Sequence, residues 1–419
     1  MTETGLATGV PAAAGTGRAG FRRLLVGIGV AGGALSAMYA GVGTILLPLQ
    51  VERIDRVHKV AALGVIAGVS ALFALVFNPV GGALSDRTRS RFGRRAPWLV
   101  AAPAGMLVML AFLGNAGTLP LVLAGWCLAQ AVANLYQAPL TAVIPDRVSV
   151  ARRGAASAVA GVASVIGGVA GVGLASQFTS HVDWGYIALG VVVAATAGYF
   201  VLTTADPPTS GLPALPRPSF RLADFLSALR HRDFTLVFVS RAAAIMGYFL
   251  VISYELYILT DYVRLPAGLK PADGVTVLAA ISAVGALIAA AVAGPLSDRL
   301  DRRKPFVIIS SAVAGAGCVL PVLWPTFHTI EVFAAFAGIA FGCYLSVDAA
   351  LVTLVLPRSE DAARDLGVLN IANAGPQVIA PLFAALIISH LGGYRVLFIA
   401  GGCCGIAGAI AVLPVRSVR

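Results

Sequence analysis

Gly82-Ala-Leu-Ser-Asp-Arg87 and Gly294-Pro-Leu-Ser-Asp-Arg299 are two copies of one short motif, separated by 212 residues. At the same offset, Thr141-Ala-Val-Ile-Pro145 matches Thr353-Leu-Val-Leu-Pro357. Two short matches at one offset, each at the end of an apolar segment, indicate an internal duplication whose copies run in the same direction. The chain is therefore predicted to consist of two related halves.

The apolar segments between these motifs are long enough to cross a membrane. The 419-residue chain is 58% hydrophobic and 12% charged, whereas an average soluble domain is about 25% charged. Unpaired backbone groups in lipid cost several kcal/mol each, so apolar runs of about 18 or more residues must be helices. We predict an all-α membrane protein of two parallel six-helix repeats. The twelve predicted spans are 24–49, 60–84, 98–116, 119–144, 154–178, 184–203, 236–262, 275–297, 306–325, 329–356, 366–390 and 392–414.

Basic residues divide the predicted loops into two sets. Of the 30 Lys and Arg residues, 23 lie on the side of the membrane that carries both termini, which the positive-inside rule places in the cytoplasm. Residues 1–20 are predicted to be a disordered cytoplasmic tail, and the halves are 21–203 and 236–419. Between them, 204–235 is predicted to be a cytoplasmic linker in which Phe220–Arg230 forms an amphipathic surface helix.

Several classes of function find no support in the sequence. The net charge of +11 comes from short clusters and not from one patch or stripe, which argues against a nucleic-acid partner. The five histidines are scattered, and no phosphate-binding Gly-x-x-x-x-Gly-Lys-Ser/Thr loop is present, which disfavours ATP-driven transport. We therefore expect no enzymatic activity and no cofactor, and we expect a monomer embedded in the lipid bilayer.

The loop from Gly82 to Trp98, Gly-Ala-Leu-Ser-Asp-Arg-Thr-Arg-Ser-Arg-Phe-Gly-Arg-Arg-Ala-Pro-Trp, resembles the loop between helices 2 and 3 of major facilitator transporters. Its extra residues and Pro-aromatic ending resemble the sucrose/proton symporters and the glycoside-pentoside-hexuronide:cation symporters, and Ala133-Asn-Leu-Tyr-Gln-Ala-Pro139 is similar to the fourth helix of the sucrose branch. The resemblance implies the major facilitator fold and transport of a sugar. Span 60–84 lacks the acidic residues of the sodium-coupled symporters, and span 119–144 lacks the arginine of plant sucrose carriers. These departures argue against sodium coupling and against sucrose itself.

Charged residues at the ends of helices 2 and 8 are the candidate gate. Carboxylate and guanidinium groups form strong charge-assisted hydrogen bonds, and a lock that exists in one access state biases the conformational equilibrium. The alternative interpretation is that these charges serve only to set the topology. The predicted gating residues are Asp86, Arg87, Arg94, Arg95, Asp298, Arg299, Arg302 and Arg303.

Acidic and polar residues within the spans are the candidate transport site. An ionised acid inside a membrane is costly and usually functional. Asp348, near mid-membrane, is therefore the first candidate for proton coupling, and Glu255 is the second; either could instead be a structural partner. Arg241 is expected to extend to the cytoplasm. Amide groups at helical spacing suit hydroxyl-rich ligands, although hydrogen bonding between helices is an equal alternative. The candidate substrate-binding residues are Asn134, Gln137, Tyr344, Asn370, Asn373 and Gln377.

These patterns together favour a proton-coupled secondary transporter that imports a small polar solute, above all a sugar or glycoside, across the inner (plasma) membrane. A transporter that exports a drug or metabolite in exchange for protons would use the same fold. A membrane sensor or scaffold that transports nothing is a third hypothesis, but it has no need of two acid-arginine gates or of a deep Asp348.

Overall fold

The protein is almost entirely helical. A computed structural model describes residues 18–204, 206, 208, 229, 231–300, 302–355 and 362–415. Among these residues, the backbone forms one isolated β-bridge, between Arg264 and Thr326. The helices are α1 (Arg18–Gly41), α2 (Leu47–Ile54), α3 (Lys59–Arg87), α4 (Ala96–Gly114), α5 (Leu119–Arg147), α6 (Val150–Ser176), α7 (Val182–Thr203), α8 (Arg232–Ile252), α9 (Glu255–Asp261), α10 (Pro271–Leu300), α11 (Lys304–Gly317), α12 (Val319–Leu323), α13 (Phe327–Val355), α14 (Ala362–His390) and α15 (Gly393–Val412).

Twelve helical stretches in the described part of the chain are long and apolar enough to cross a membrane, which confirms the predicted number of spans. Two of the predicted segment boundaries fall inside helices of the structure. Helix α1 begins at Arg18, inside the predicted tail 1–20, and α8 begins at Arg232, four residues before the predicted second half. Asp233 in the first turn of α8 interacts favourably with the positive end of the helix dipole, which supports the earlier start. The predicted amphipathic helix Phe220–Arg230 lies outside the described residues, apart from Leu229.

Two spans that occupy equivalent places in the two halves are not regular helices. In the first span, α1 continues through the π-helical segment Val42–Leu46 into α2. In the seventh, α8 ends at Ile252 and α9 begins at Glu255, so the prediction of one continuous helix over 236–262 is wrong. The Ser253 Oγ donates to the Phe249 backbone oxygen at 2.6 Å, a local bond of the kind that bends helices.

Close packing within each half depends on glycine. A Cβ atom on Gly171 of α6 would lie 2.1 Å from the Ala37 backbone oxygen of α1. In the second half, a Cβ atom on Gly338 of α13 would lie 2.1 Å from the Ser282 backbone oxygen of α10. No side chain fits at such distances, so these glycines allow the helix backbones to touch, as is common in membranes.

The two ends of the helix bundle differ in character. We call the end formed by the close of α3, α5 and α10 the terminal end, because the first and last helices also begin and end there. The opposite end, where α2 meets α3 and α9 closes, is the far end. At the terminal end the duplication is visible in the backbone, because Arg95 and Arg303 each directly precede a helix and have almost the same backbone angles. Their φ/ψ values are −95°/−38° and −94°/−36°, respectively. Ser85 and Ser297, which match in the repeated motif, are both buried.

The two halves pack against each other near the far end. A Cβ atom on Gly64 of α3 would lie 2.6 Å from the Ala385 Cβ of α14, and one on Gly68 would lie 2.7 Å from the Leu382 Cγ. Gly68 is nine residues into α3, so this packing lies within about 14 Å of the far end. The hydrogen bonds and ion pairs that join described residues of the two halves also lie at the far end. The bundle is therefore closed at that end.

Candidate functional site

A network of ion pairs ties three helices of the first half together at the terminal end. Arg95 is buried, and its Nη2 lies 2.6 Å from the Asp86 Oδ1 of α3. Its Nε lies 2.9 Å from the Asp146 Oδ2 of α5, and its Nη1 donates to the Ser85 Oγ at 2.8 Å. Arg94 pairs with the same Asp146 at 2.6 Å. Because the planar guanidinium of Arg95 spans two carboxylates, it fixes the ends of α3 and α5 against the start of α4.

The carboxylate of Asp206 extends this network and caps α4. Its Oδ2 accepts hydrogen bonds from the backbone N–H groups of Arg95 at 2.8 Å and Ala96 at 3.2 Å, and its Oδ1 lies 2.6 Å from the Arg147 Nη2. An anion is favoured at a helix N-terminus, where backbone N–H groups have no partner in the helix. Gly93 is required in this loop, since its φ is +91° and a Cβ atom would lie 2.2 Å from the Asp206 carboxylate.

Three members of this network, Asp146, Arg147 and Asp206, are missing from the sequence-based set of gating residues. The sequence does carry a signal for two of them, because Asp146-Arg147 repeats the Asp-Arg dipeptide that ends α3 at Asp86-Arg87. Asp206 has no such signal. It lies beyond α7 and reaches α4 only through the tertiary fold.

The structure brings together some of the predicted gating residues but not all. Asp86, Arg94 and Arg95 belong to the network, and all of its contacts lie within the first half. The other predicted gating residues lie apart: Arg87, Arg299 and Arg302 are exposed, Arg303 is half-buried, and the Asp298 side chain lies outside the described residues. A rigid rotation of one half would leave the network intact, so its role in gating stays a prediction.

A second charge cluster, which we call the far-end latch, does cross between the halves. It consists of Glu52, Lys59, Tyr257, Asp261 and Tyr394. The buried Lys59 at the start of α3 places its Nζ 2.8 Å from the Glu52 Oε1 and 2.9 Å from the Asp261 Oδ1. The Lys59 Nζ also lies 4.6 Å from the centroid of the Tyr257 ring, and the Tyr394 hydroxyl donates to the Asp261 Oδ2 at 2.8 Å. Glu52 and Lys59 belong to the first half, and the other three residues belong to the second.

Two buried tyrosines next to the break in the seventh span reinforce the closure of the far end. The Tyr257 hydroxyl donates to the Pro48 backbone oxygen of α2 at 2.8 Å. The Tyr254 hydroxyl lies 3.0 Å from the Val60 backbone oxygen and 3.1 Å from that of Pro381, so it can donate to either half. The break therefore places hydroxyl donors where the two halves meet.

Asn134 and Gln137 of α5 join a hydrogen-bonded cluster with α1 and α3. The Asn134 amide donates to the Tyr39 hydroxyl at 3.3 Å and accepts from the Asn78 Nδ2 at 3.1 Å. The Tyr39 hydroxyl donates to the Gln137 Oε1 at 3.2 Å. Asn134 is buried, and its amide makes hydrogen bonds between helices, which is the alternative to substrate binding given above. Gln137 is half-buried, and its Nε2 donates no hydrogen bond to any described residue.

The candidate substrate residues of the second half lie on α13 and α14. The Gln377 Nε2 donates to the Asn373 backbone oxygen at 3.1 Å. Tyr344 is buried and lines a narrow cavity of about 50 Å³ inside the second half, together with Tyr248 and Phe341, whose rings stack at 4.6 Å. The Asn370 side chain lies outside the described residues. These residues and the α5 cluster are on opposite halves, as expected for a cleft between two repeats.

The two intramembrane acids occupy different positions. Glu255 begins α9 at the break in the seventh span, is 9% exposed, and makes no hydrogen bond or ion pair with a described residue. It is close enough to Tyr248 for an electrostatic interaction. Asp348 lies on α13, seven residues before Val355, and so about 10 Å along the axis from the last described turn. The Asp348 side chain lies outside the described residues. The arginine predicted to extend to the cytoplasm, Arg241 of α8, is half-buried.

Twelve spans in two repeated halves, closed at one end by contacts that cross between the halves, form the architecture in which membrane transporters enclose a substrate between two repeats. A profile of the Major Facilitator Superfamily matches residues 29–274 and 265–419, nearly the whole chain. The chain belongs to the Major Facilitator Superfamily. The resemblance drawn from the loop motif is thereby confirmed for the superfamily, while the sugar-transporting branches are not confirmed.

Similar proteins and structures agree with this assignment. The MFS transporter asaE of Aspergillus flavus is 25% identical over 306 residues, which cover 70% of this chain and 64% of that protein. The chain thus spans somewhat less than two thirds of that relative. Among solved structures, the nucleoside transporter NupG has a TM-score of 0.75 at 11% identity over 94% of this chain and 99% of its own. A bacterial homologue of the human lysosomal transporter Spinster has a TM-score of 0.67 at 14% identity, over 95% of both chains. These structural likenesses show a shared fold.

Proposed function

We propose that this protein is a proton-coupled secondary transporter that imports a small uncharged polar solute, a sugar or glycoside above all, by alternating access. The observation that carries this proposal is the far-end latch, in which Lys59 of one half is paired with Asp261 of the other at 2.9 Å. Contacts that cross between the halves must break when the far end opens. The described conformation is therefore the one in which the far end is closed.

The orientation follows from charge. The terminal end carries most of the basic residues, so we place it in the cytoplasm of a cell with the transporter in its plasma membrane, and the described state then faces inward. Single cysteines at Ser149 and Thr118, which are exposed at the terminal and far ends respectively, test this placement in a variant without native cysteines. An impermeant thiol reagent added outside intact cells should label Thr118→Cys and spare Ser149→Cys. The reverse pattern would contradict the orientation.

Half-buried amide groups in the two halves favour an uncharged, hydroxyl-rich ligand. Gln137 and Asn78 are half-buried on the first half, and Asn373 and Gln377 are half-buried on the second. Amides both donate and accept hydrogen bonds, which matches the alternating donors and acceptors of a sugar. The unused Nε2 of Gln137 is the group that we expect to donate to a ligand hydroxyl.

For proton coupling we propose Asp348 first and Glu255 second. Asp348 lies on α13, and Glu255 begins the short helix α9 in the seventh predicted span. Inside a membrane, an ionised group without a partner is expensive, and a functional role is the default hypothesis. Glu255 adds structural support, since it is buried at a helix break and makes no ion pair with a described residue. Broken helices in membrane transporters commonly line the substrate or ion site.

Uptake by proteoliposomes tests the whole proposal. With acid outside, we expect saturable accumulation of at least one sugar from a panel, and loss of accumulation when a protonophore is added. Gln137→Ala should weaken apparent affinity about three- to tenfold, the effect of losing one hydrogen bond. Gln177→Ala, an exposed glutamine at the far end, is the matched control. If no sugar in the panel is taken up in response to the proton gradient, sugar import is refuted.

Export of an apolar compound is the second candidate, and the cavity inside the second half favours it. Its walls are mostly apolar, with the stacked rings of Tyr248 and Phe341 beside Tyr344. Aromatic surfaces of this kind bind flat or cationic aromatic compounds. The same proteoliposomes, loaded with a fluorescent aromatic dye, would show dye movement against its gradient in exchange for protons if export is the function.

A further inference from the structure

An amphipathic groove lies at the terminal end of the second half, outside the cleft. It is lined by Arg302, Lys304, Pro305, Ile308 and Ile309. The two basic residues precede and begin α11, and the two isoleucines follow within its first turns. Ile309 is 60% exposed. Since Lys304–Leu323 is a membrane span, the basic rim lies at the level of lipid headgroups and the isoleucines lie at the level of acyl chains.

The two cations of this groove are held differently. The Lys304 Nζ donates to the backbone oxygens of Leu413 and Val415, the latter at 3.0 Å, just past the end of α15. Lys304 is therefore fixed in place by carbonyl groups, and no described carboxylate neutralises it. Arg302 is exposed, and its side chain makes no hydrogen bond or ion pair with the described residues. The groove thus offers an anchored ammonium and an available guanidinium to an outside anion.

The basic residues of the first half differ from those of the groove in their carboxylate partners. At the terminal end of the first half, Arg94 and Arg95 are neutralised by Asp86 and Asp146. At the repeat offset of 212 residues, the position of Asp146 is occupied by Arg358. In sequence, the second half therefore has a base where the first half has the acid that pairs with Arg94 and Arg95.

We propose that this groove binds the headgroup of an anionic phospholipid. Arg302 and Lys304 contact the phosphate, and the acyl chain runs along Ile308 and Ile309. Guanidinium groups bind phosphate oxygens in a bidentate manner, and basic sites at the cytoplasmic surface of a membrane attract anionic lipids. The inference concerns a surface outside the transport cleft, so it does not depend on the substrate or on the direction of transport.

Lipid binding to the purified full chain tests the proposal by native mass spectrometry. The protein is titrated with phosphatidylglycerol and with phosphatidylcholine of identical acyl chains. Wild type should retain phosphatidylglycerol at least about fivefold better, and Arg302→Gln should lower that retention about fivefold, the factor expected for one basic side chain near a membrane surface. Arg299→Gln is the matched control, because Arg299 is also exposed, lies in the last turn of the preceding helix and does not line the groove. If both variants lose phosphatidylglycerol equally, the lipid is attracted by the overall surface charge and not by this groove, and the proposal is wrong.

Two further measurements separate a lipid from a free phosphate. Ile309→Ser removes apolar contact without changing charge, and it should also reduce retention of phosphatidylglycerol. Soluble glycerol 3-phosphate should compete only weakly, because it lacks the acyl chains. If glycerol 3-phosphate competes as well as the lipid and Ile309→Ser has no effect, the groove binds a free phosphate and the lipid proposal is wrong.

Discussion

Substituting asparagine for Asp261 removes a carboxylate that reaches across the two halves to Lys59 at 2.9 Å, while the shape of the side chain stays almost the same. Lys59 keeps its other partner, Glu52, at 2.8 Å, so no unpaired charge is left behind. The Tyr394 hydroxyl can still donate to the new amide oxygen. The substitution therefore weakens one contact of the far-end latch and leaves the fold of each half in place.

The size of the effect follows from which contacts cross between the halves. A contact within one half is present in both access states and does not bias their equilibrium. The Glu52–Lys59 pair lies within the first half, so it does not bias the equilibrium. The Lys59–Asp261 pair crosses between the halves, so it favours the state in which the far end is closed. The Asp261 side chain is 32% exposed, so its pair lies between exposed pairs worth about 0.2–1 kcal/mol and buried pairs whose loss costs about 2–5 kcal/mol. We expect a loss of about 1–2 kcal/mol, which raises the ratio of open to closed far ends about five- to thirtyfold.

Distances between spin labels measure this ratio. Labels at Thr118 in the first half and Ala267 in the second are both exposed at the far end, and pulsed electron paramagnetic resonance should show a longer-distance population in Asp261→Asn. Glu52→Gln is the matched control, because it removes an ion pair of similar length within one half. An unchanged distribution in Asp261→Asn would refute the latch. Equal opening in Glu52→Gln would show that any loss of charge at this site loosens the bundle.

Three other substitutions test the terminal end and the acids. Gly93→Ala should lower the free energy of unfolding by about 2–3 kcal/mol, since φ is +91° and the Asp206 carboxylate fills the Cβ position; Gly117→Ala, with open space around it, should be neutral in a thermal-unfolding assay. Arg95→Lys should destabilise by about 1–2 kcal/mol in the same assay because an ammonium cannot span two carboxylates, and an unchanged melting temperature would contradict the network. Asp348→Asn should abolish accumulation against a gradient but permit exchange, and normal accumulation would transfer the proton role to Glu255, with Glu255→Gln as the next variant.

Sequence alone predicts the features that local patterns determine. The span number follows from the length of apolar runs, and the duplication follows from a motif that matches at five of six positions at one offset. The contact of Asp86 with Arg95 is also predictable, because a turn joins α3 to α4 and opposite charges lie on both sides of it. In each case, the interacting groups are near in sequence or repeat a recognisable pattern.

The far-end latch could not be predicted in this way. Lys59 and Asp261 are 202 positions apart, and each lies at a helix end among other charges, where a solvated side chain is the ordinary outcome. The pair exists because helix packing brings the ends of α3 and α9 together. The break before Glu255 is equally hidden, since the residues from Ile252 to Glu255 include neither glycine nor proline. Such features depend on tertiary contacts between the halves.

The irregular segments of the first and seventh spans are related by the duplication, and this relation explains how the latch could open. At the repeat offset of 212 residues, Val42, where the π-helical segment begins, corresponds to Tyr254 in the break of the seventh span. Beyond these points lie the short helices α2 and α9, which carry Glu52 and Asp261 and which are joined by the hydrogen bond from the Tyr257 hydroxyl to α2. A helix bends most readily where its regular hydrogen bonding is interrupted. The two short helices can therefore separate by bending at equivalent points of the two halves.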